Sequence, residues 1–208
     1  MKTIDIKKWN RREHFEFFNG FDNPFYNIST EVDCSDAYKF SKEKGISFFA
    51  FYLYKSIEAV NKIEAFRYRI EEQKVVLHDL IHIAVTIARE DGTFGFSFVP
   101  FSENFNQFKH DLKKEIEDVQ NSTGLRLNND DRRTDVIHFS SLPWIKFTGL
   151  SHASNFNTDE SVPKITFGKA FDRDGKKYLP IAIEVHHGLV DALHIAQFLE
   201  AFQEGMED

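Results

Sequence analysis

The chain is expected to fold as an α/β protein: an α+β two-layer sandwich, with a mixed, mainly antiparallel sheet and helices on one side. Three features lead there. Short alternating apolar runs are joined by hairpin-type turns, as in IHIAVTIARE, Asp91-Gly92, TFGFSFVP. Longer stretches repeat their apolar residues at helical spacing, as in Phe105, Phe108, Leu112, Ile116 and Val119. The two kinds follow each other without the regular alternation of a doubly wound nucleotide fold. The 208 residues suit one domain spanning 1–208, long enough to bury a real core.

In order, residues 9–18 read as a short helix on which Trp9, Phe15 and Phe18 share a face, and 20–24 (GFDNP) as a turn. FYNISTEVD at 25–33 alternates as a strand. A helix begins at Asp36 and stops at Gly45. Ser47 caps a second helix, apolar nearly all round at its start and therefore buried. FRYRI and KVVLH flank EEQ as one hairpin, and residues 81–100 form the next. Residues 104–120 are an amphipathic helix and 121–135 a polar loop. VIHFSS, PWIKFTGL, and KITFGKAF joined through Asp174-Gly175 to KYLPIAIEV supply the remaining strands. The last helix is expected to end near Gly205.

A net charge of −7 and scattered short basic clusters argue against a nucleic-acid partner. Cys34 stands alone, which excludes an internal disulfide and fits a reducing compartment. MKTIDIKKWN has no apolar core of a signal peptide, and ISFFAFYLY at 46–54 is too short to span a bilayer. A soluble, cytoplasmic protein with no membrane partner is expected. The 23 phenylalanines exceed what a minimal core needs; most belong to a Phe-rich core, and the excess suggests an aromatic pocket or a subunit interface. No phosphate loop, zinc-type Cys/His spacing or G-x-S-x-G elbow is present, and no metal is expected.

Residues 181–194, IAIEVHHGLVDALH, concentrate the chemistry. Ile181, Ile183 and Val185 alternate as a strand, two histidines stand at its end, and Asp191 opens a helix. An imidazole near pH 7 takes up a proton where few side chains do. Asp191 read alone is equally a helix N-cap, and the histidines equally structural.

HHGLVDALHIAQFLEAFQE resembles the HHxxxDG signature of the chloramphenicol acetyltransferase family. NRREHFEFF, SSLPWIKF at 140–147 and PKITFGK at 163–169 resemble three further family blocks, in family order over nearly the whole chain. The resemblance implies a family-type fold and an acetyl-CoA-dependent O-acetyltransferase. His187 matches the general base and His186 the first, non-catalytic histidine. Asp191 and Arg11 match a structural ion pair that holds the loop carrying the base. Ser140 matches the donor to the oxyanion, Thr166 a threonine that binds the intermediate through water, and Lys169 a lysine near CoA. The acceptor would be chloramphenicol or a more polar small alcohol. The family also implies a homotrimer with active sites between subunits. The alternative is a catalytically silent trimer of the same fold that binds CoA or a small molecule. A metal site from His187, Asp191 and His194 is disfavoured by the break at Gly188.

Three departures stand out. Ala192 replaces the signature glycine and is expected to be harmless as a first helical residue. Phe18 replaces a usual tyrosine. The segment 152–162, largely apolar in the resistance enzymes, carries His152, Ser154, Asn155, Asp159, Glu160 and Ser161, from which a more polar acceptor than chloramphenicol is expected.

Overall fold

The structure, a computed structural model, describes residues 1–127, 133–154 and 159–207. A short 3₁₀ turn at Ile6–Lys8 precedes helix α1 (Arg12–Phe18), so the expected helix at 9–18 is confined to its last seven residues. Strand β2 (Phe25–Asp33) matches the alternating run residue for residue. Helix α2 (Ser35–Lys44) ends at Gly45, whose φ of 64° is the left-handed conformation that closes the helix. Ser47 caps α3 (Phe48–Lys62) by accepting from the Ala50 N–H.

Strands β3 (Tyr68–Glu71) and β4 (Lys74–Leu77) turn through Glu72 and Gln73, both at positive φ, as a two-residue hairpin demands. With β1 (Lys2–Thr3) they make a small antiparallel sheet. Under it Arg69 is fully buried and donates to the carbonyls of Phe66, Tyr68, Thr134 and Val136.

The main sheet joins β2 to β5 (His82–Ala88), β6 (Phe94–Val99), β7 (Val136–Ser141), β8 (Lys164–Phe167), β9 (Phe171–Arg173) and β10 (Lys176–His186). Its order is β2-β10-β8-β7-β5-β6, with β9 beside β10. The β7 pairings to β5 and β8 are parallel and the others antiparallel, so the sheet is mixed as expected. Period-two alternation then gives the sheet two different faces. Ile83, Val85, Ile137, Phe139, Ile165, Phe167, Ile181, Ile183 and Val185 point into the core. Helices α2, α3, α4 (Phe105–Gln120) and α5 (Ala192–Glu207) cover that side. Phe167 is the contact point, with Tyr52 of α3 and Phe202 of α5 4.6 and 5.8 Å from its ring. The other face carries Thr86, His138, Ser140, Lys164, Thr166, Glu184 and His186, and every candidate hydroxyl lies there.

One expectation fails, and one boundary moves by two residues. PWIKFTGL forms no strand: it turns at Pro143-Trp144 and leaves Trp144 and Ile145 exposed. Both neighbours of β7 are already occupied, and the turn instead lies over Gly168, where a Cβ would stand 3.0 Å from the Phe147 ring and 3.1 Å from the Ile145 carbonyl. That close approach also splits KITFGKAF into β8 and β9. The last helix runs through Gly205 to Glu207, because Gly205 packs against the Lys55 side chain and is no terminator.

Candidate active site

β10 ends at His186, and the chain turns through Gly188 into α5. Adjacent residues leave a strand on opposite faces, so the two histidines part here. His186 lies 2% exposed between the Phe15 and Phe25 rings. Burial, with the neighbouring His187, pushes its pKa down to about 4, which keeps it neutral near pH 7. His187 is half-buried. Its N–H donates to the Pro24 carbonyl at 2.8 Å, continuing the β2 ladder one residue past the strand. Its ring lies between Phe18 and Tyr26, centroids 3.9 and 4.6 Å away and nearly parallel to both. Its Nδ1 stands 3.3 Å from the Val190 carbonyl. A carbonyl only accepts, so in the neutral ring Nδ1 carries the hydrogen and Nε2 keeps its lone pair. The sequence thus delivers an oriented imidazole held between two aromatic rings.

The turn behind it is pinned by an ion pair. Arg11 Nη1 donates to Asp191 Oδ2 at 2.6 Å. Asp191 Oδ1 accepts from the Leu193 N–H at 3.1 Å and so also caps α5. Burial opposes the Asp191 charge, but the Arg11 hydrogen bond and the nearby His194 and Arg11 charges hold its carboxyl below the usual range. Arg12 points elsewhere, to Glu16 at 2.8 Å. Asp191 therefore has both expected jobs, cap and ion pair. Ala192 is the first residue of α5 without positive φ, so it sits there unstrained. His194 lies 3.1 Å from Asp191 as a helix-face partner. Among the described residues no three His, Cys, Asp or Glu side chains gather as a metal-binding group.

The hydroxyls lie elsewhere in the sheet. Ser140 of β7 stands opposite Thr166 of β8, which stands opposite Ala182 of β10. Ser140 Oγ is 3.3 Å from Thr86 Oγ1, and Thr166 Oγ1 is 2.8 Å from His152 Nε2. Ser140 opens onto a cavity of about 480 Å³ with one aromatic wall, Phe94, Phe96 and Phe98, and a polar wall of His138, His152 and Lys164. A second cavity of about 550 Å³ begins one residue further on, at the C-terminal end of β7, between Tyr52, Trp144, Ser141 and Lys169. Thr86 lines both, so the two meet beside Ser140. Lys169 is exposed at the rim of the second.

Within one chain the His187 ring and the Ser140 hydroxyl do not meet. His187 lies five residues beyond Ala182, or ~17 Å along the strand, and Ser140 lies two strands across, or ~10 Å. The separation is ~19 Å, against the roughly 3 Å over which proton transfer and oxyanion stabilisation act.

Two residues of the site, Lys164 and Glu184, were not singled out from sequence, and His152 was named only as a polar residue of its segment. Lys164 and Glu184 are buried on the open face and 3.3 Å apart, and His152 binds both Glu184 and Thr166. Burial opposes the Glu184 charge, yet hydrogen bonds from His152 and Ser154 and the Lys164 charge bring its carboxyl down to about 2. A glutamate inside the apolar run 181–185 was the available signal. This pair also changes the reading of segment 152–162. Ser154 donates to Glu184 and accepts from Lys164; Glu160 pairs with Lys164 at 2.8 Å. Asp159 and Ser161 accept from the backbone of Gln73 and Ile70. Asn155 lies outside the described residues. Of the described part of that segment, His152 and Ala153 line the cavity. The described polar groups of the segment thus bind partners within the chain, and of them His152 alone lines the cavity.

The chain was compared with known proteins. A family model described as chloramphenicol acetyltransferase matches residues 1–203. A chloramphenicol acetyltransferase of Bacillus pumilus is 32% identical over 202 residues, covering 96% of this chain and 90% of that protein. A solved chloramphenicol acetyltransferase superposes with a TM-score of 0.93 at 32% identity, covering 99% of this chain and all of the other. A probable dihydrolipoamide acetyltransferase from Listeria monocytogenes shares the fold, with a TM-score of 0.69 at 16% identity, over 96% of this chain and 92% of that one.

Proposed function

The chain belongs to the chloramphenicol acetyltransferase family and is an acyltransferase using acetyl-CoA, and from that premise we propose an O-acetyltransferase whose base and oxyanion donor come from different subunits. The observation that carries it is the ~19 Å between His187 and Ser140 in one chain. Each is built for its task, and neither has its counterpart within reach. A closed homotrimer in which one chain's 187–191 turn enters the next chain's cavity completes the site. Exposed Phe17 and Phe21, packed with Phe18 beside His187, give that junction an apolar rim.

The steps follow from the geometry. His187 Nε2 takes the proton of the acceptor hydroxyl as its oxygen attacks the thioester carbonyl of acetyl-CoA. The Ser140 hydroxyl, 3.3 Å from Thr86, donates to the oxyanion, and Thr166 supports the intermediate through a water. Collapse expels the CoA thiolate, which recovers the proton from His187. Arg11 and Asp191 hold the turn and do not relay charge, since Val190 engages the second ring nitrogen. The second cavity fits acetyl-CoA: it is lined by Tyr38, Phe48, Phe49 and Trp144, and Lys169 at its rim can meet a phosphate. The aromatic wall facing Ser140 suits an alcohol with a flat apolar body, either chloramphenicol or a more polar relative.

The test is release of CoA thiol from acetyl-CoA with chloramphenicol and with a panel of aryl and polar alcohols. The native chain is expected to turn over at least one acceptor, and His187→Ala to abolish turnover. Ser140→Ala should lower kcat by about 10²–10³. No release with any acceptor, or full activity of His187→Ala, contradicts the proposal.

A further inference from the structure

Glu184, His152 and Thr166 stand in the order carboxylate, imidazole, hydroxyl, beside Ser140 on the open face. The order resembles a nucleophile with its base, but Thr166 is 2% exposed and lines neither cavity described above, so it attacks nothing. What the arrangement does settle is a proton's direction. Glu184 Oε2 lies 3.4 Å from both His152 Nδ1 and the His152 N–H. The carboxylate is kept charged by Lys164, 3.3 Å from it, and by the Ser154 hydroxyl at 2.9 Å. A bare lone pair on Nδ1 would face that charge, so in the neutral ring Nδ1 carries the hydrogen. Nε2 is then an acceptor, and its partner at 2.8 Å is Thr166 Oγ1, which must donate to it.

We propose that His152 is a positioning residue of the acceptor site: backed by Glu184, it draws the Thr166 proton to itself, so that Thr166 offers only lone pairs toward Ser140, its neighbour across the β7–β8 pairing. A water there must donate to Thr166, which leaves its other hydrogen free for the intermediate. This also accounts for an ion pair buried beneath a catalytic face, where desolvation alone would disfavour it. The other charged or titratable groups around His152 are Lys164 on β8, Glu160 on its own segment and the His138 imidazole across the cavity. The catalytic consequence rests on the acyl-transfer reading; the proton's direction does not.

Nitrogen-15 spectra of histidine-labelled protein test the direction, with His152 assigned by its loss in His152→Gln. The native protein is expected to show the Nδ1-protonated tautomer, and Glu184→Gln to raise the Nε2-protonated one. A native His152 protonated on Nε2 alone overturns the proposal. In kinetics, His152→Gln, whose amide oxygen can still accept from Thr166, should stay within about fivefold of native. His152→Leu should lower kcat about tenfold with the KM for acetyl-CoA unchanged. Adding Thr166→Val to His152→Leu should cost less than about twofold more, because the two act as a unit. Equal losses in the Gln and Leu variants, or full additivity with Thr166→Val, overturn it. If the native chain turns over no acceptor, the acyl-transfer reading falls while the spectra still decide the proton's direction.

Discussion

Asp191→Asn isolates what the Arg11 ion pair contributes. Asparagine keeps an oxygen for the Leu193 N–H, so the α5 cap survives, while the charge and the oxygen that accepts from Arg11 are lost. The Arg11 side chain is 13% exposed, and among the described residues its Nε and other Nη have no partner and Asp191 is its one ionic contact. Removing one member of a buried pair costs about 3–5 kcal/mol. Asp191 is 32% exposed, and solvent screening brings the expectation down to about 2–3 kcal/mol. Replacing Arg11 by methionine in the Asp191→Asn background should recover about half of that, since no buried charge is then left unpaired. The same turn carries His187, so kcat should fall about 10- to 100-fold with both KM values little changed. Urea unfolding of the single and double variants reads the first quantity and thiol release the second. A loss below about 0.5 kcal/mol with additive variants would refute the view that this pair holds the turn.

Two further outcomes follow from the same turn. Gly188→Ala would bring a Cβ within 3.3 Å of the Phe15 backbone and closer still to the His186 ring. It should cost about 1–3 kcal/mol in urea unfolding and lower kcat with it; a neutral result would mean the turn is free to shift. His186, folded at about 4 against an ordinary 6.5, binds fewer protons folded than unfolded between those values. Its contribution is therefore intact above pH 6.5 and lost as pH falls toward 4, by about 3 kcal/mol in all. His186→Leu, apolar among Phe15 and Phe25, should flatten the urea midpoint between pH 7 and 5, and an unchanged pH slope would contradict the assignment.

The legible parts of the chain are those whose signal is local. β2 alternates over its full length, Ser47 and Gly45 are cap residues doing a cap's chemistry, and Asp91-Gly92 marks its hairpin. The parallel placement of β7 between β5 and β8 is not local, since alternation says which face a residue takes and not which strand it pairs with. PWIKFTGL misled because it is rich in strand-favouring apolar and aromatic residues, while Trp144 and Ile145 in fact point outward from a turn beside the second cavity. The chemistry of the site was half visible. His187, Ser140, Thr166 and Asp191 carry motif positions, and the structure places the first two in different parts of the sheet. Lys164 and Glu184 stayed hidden because a buried charge is recognised by its partner, and these partners lie twenty residues apart on adjacent strands.

The central claim, a site shared between chains, is tested most directly by mixing His187→Ala and Ser140→Ala chains by co-expression. Each variant alone lacks one group at every site. In random mixed assemblies a site pairs a native His187 from one chain with a native Ser140 from its neighbour about one time in four. The account predicts that thiol release recovers to about a quarter of the native rate. Mixed assemblies no more active than the two parents would place base and oxyanion donor in the same chain and contradict it.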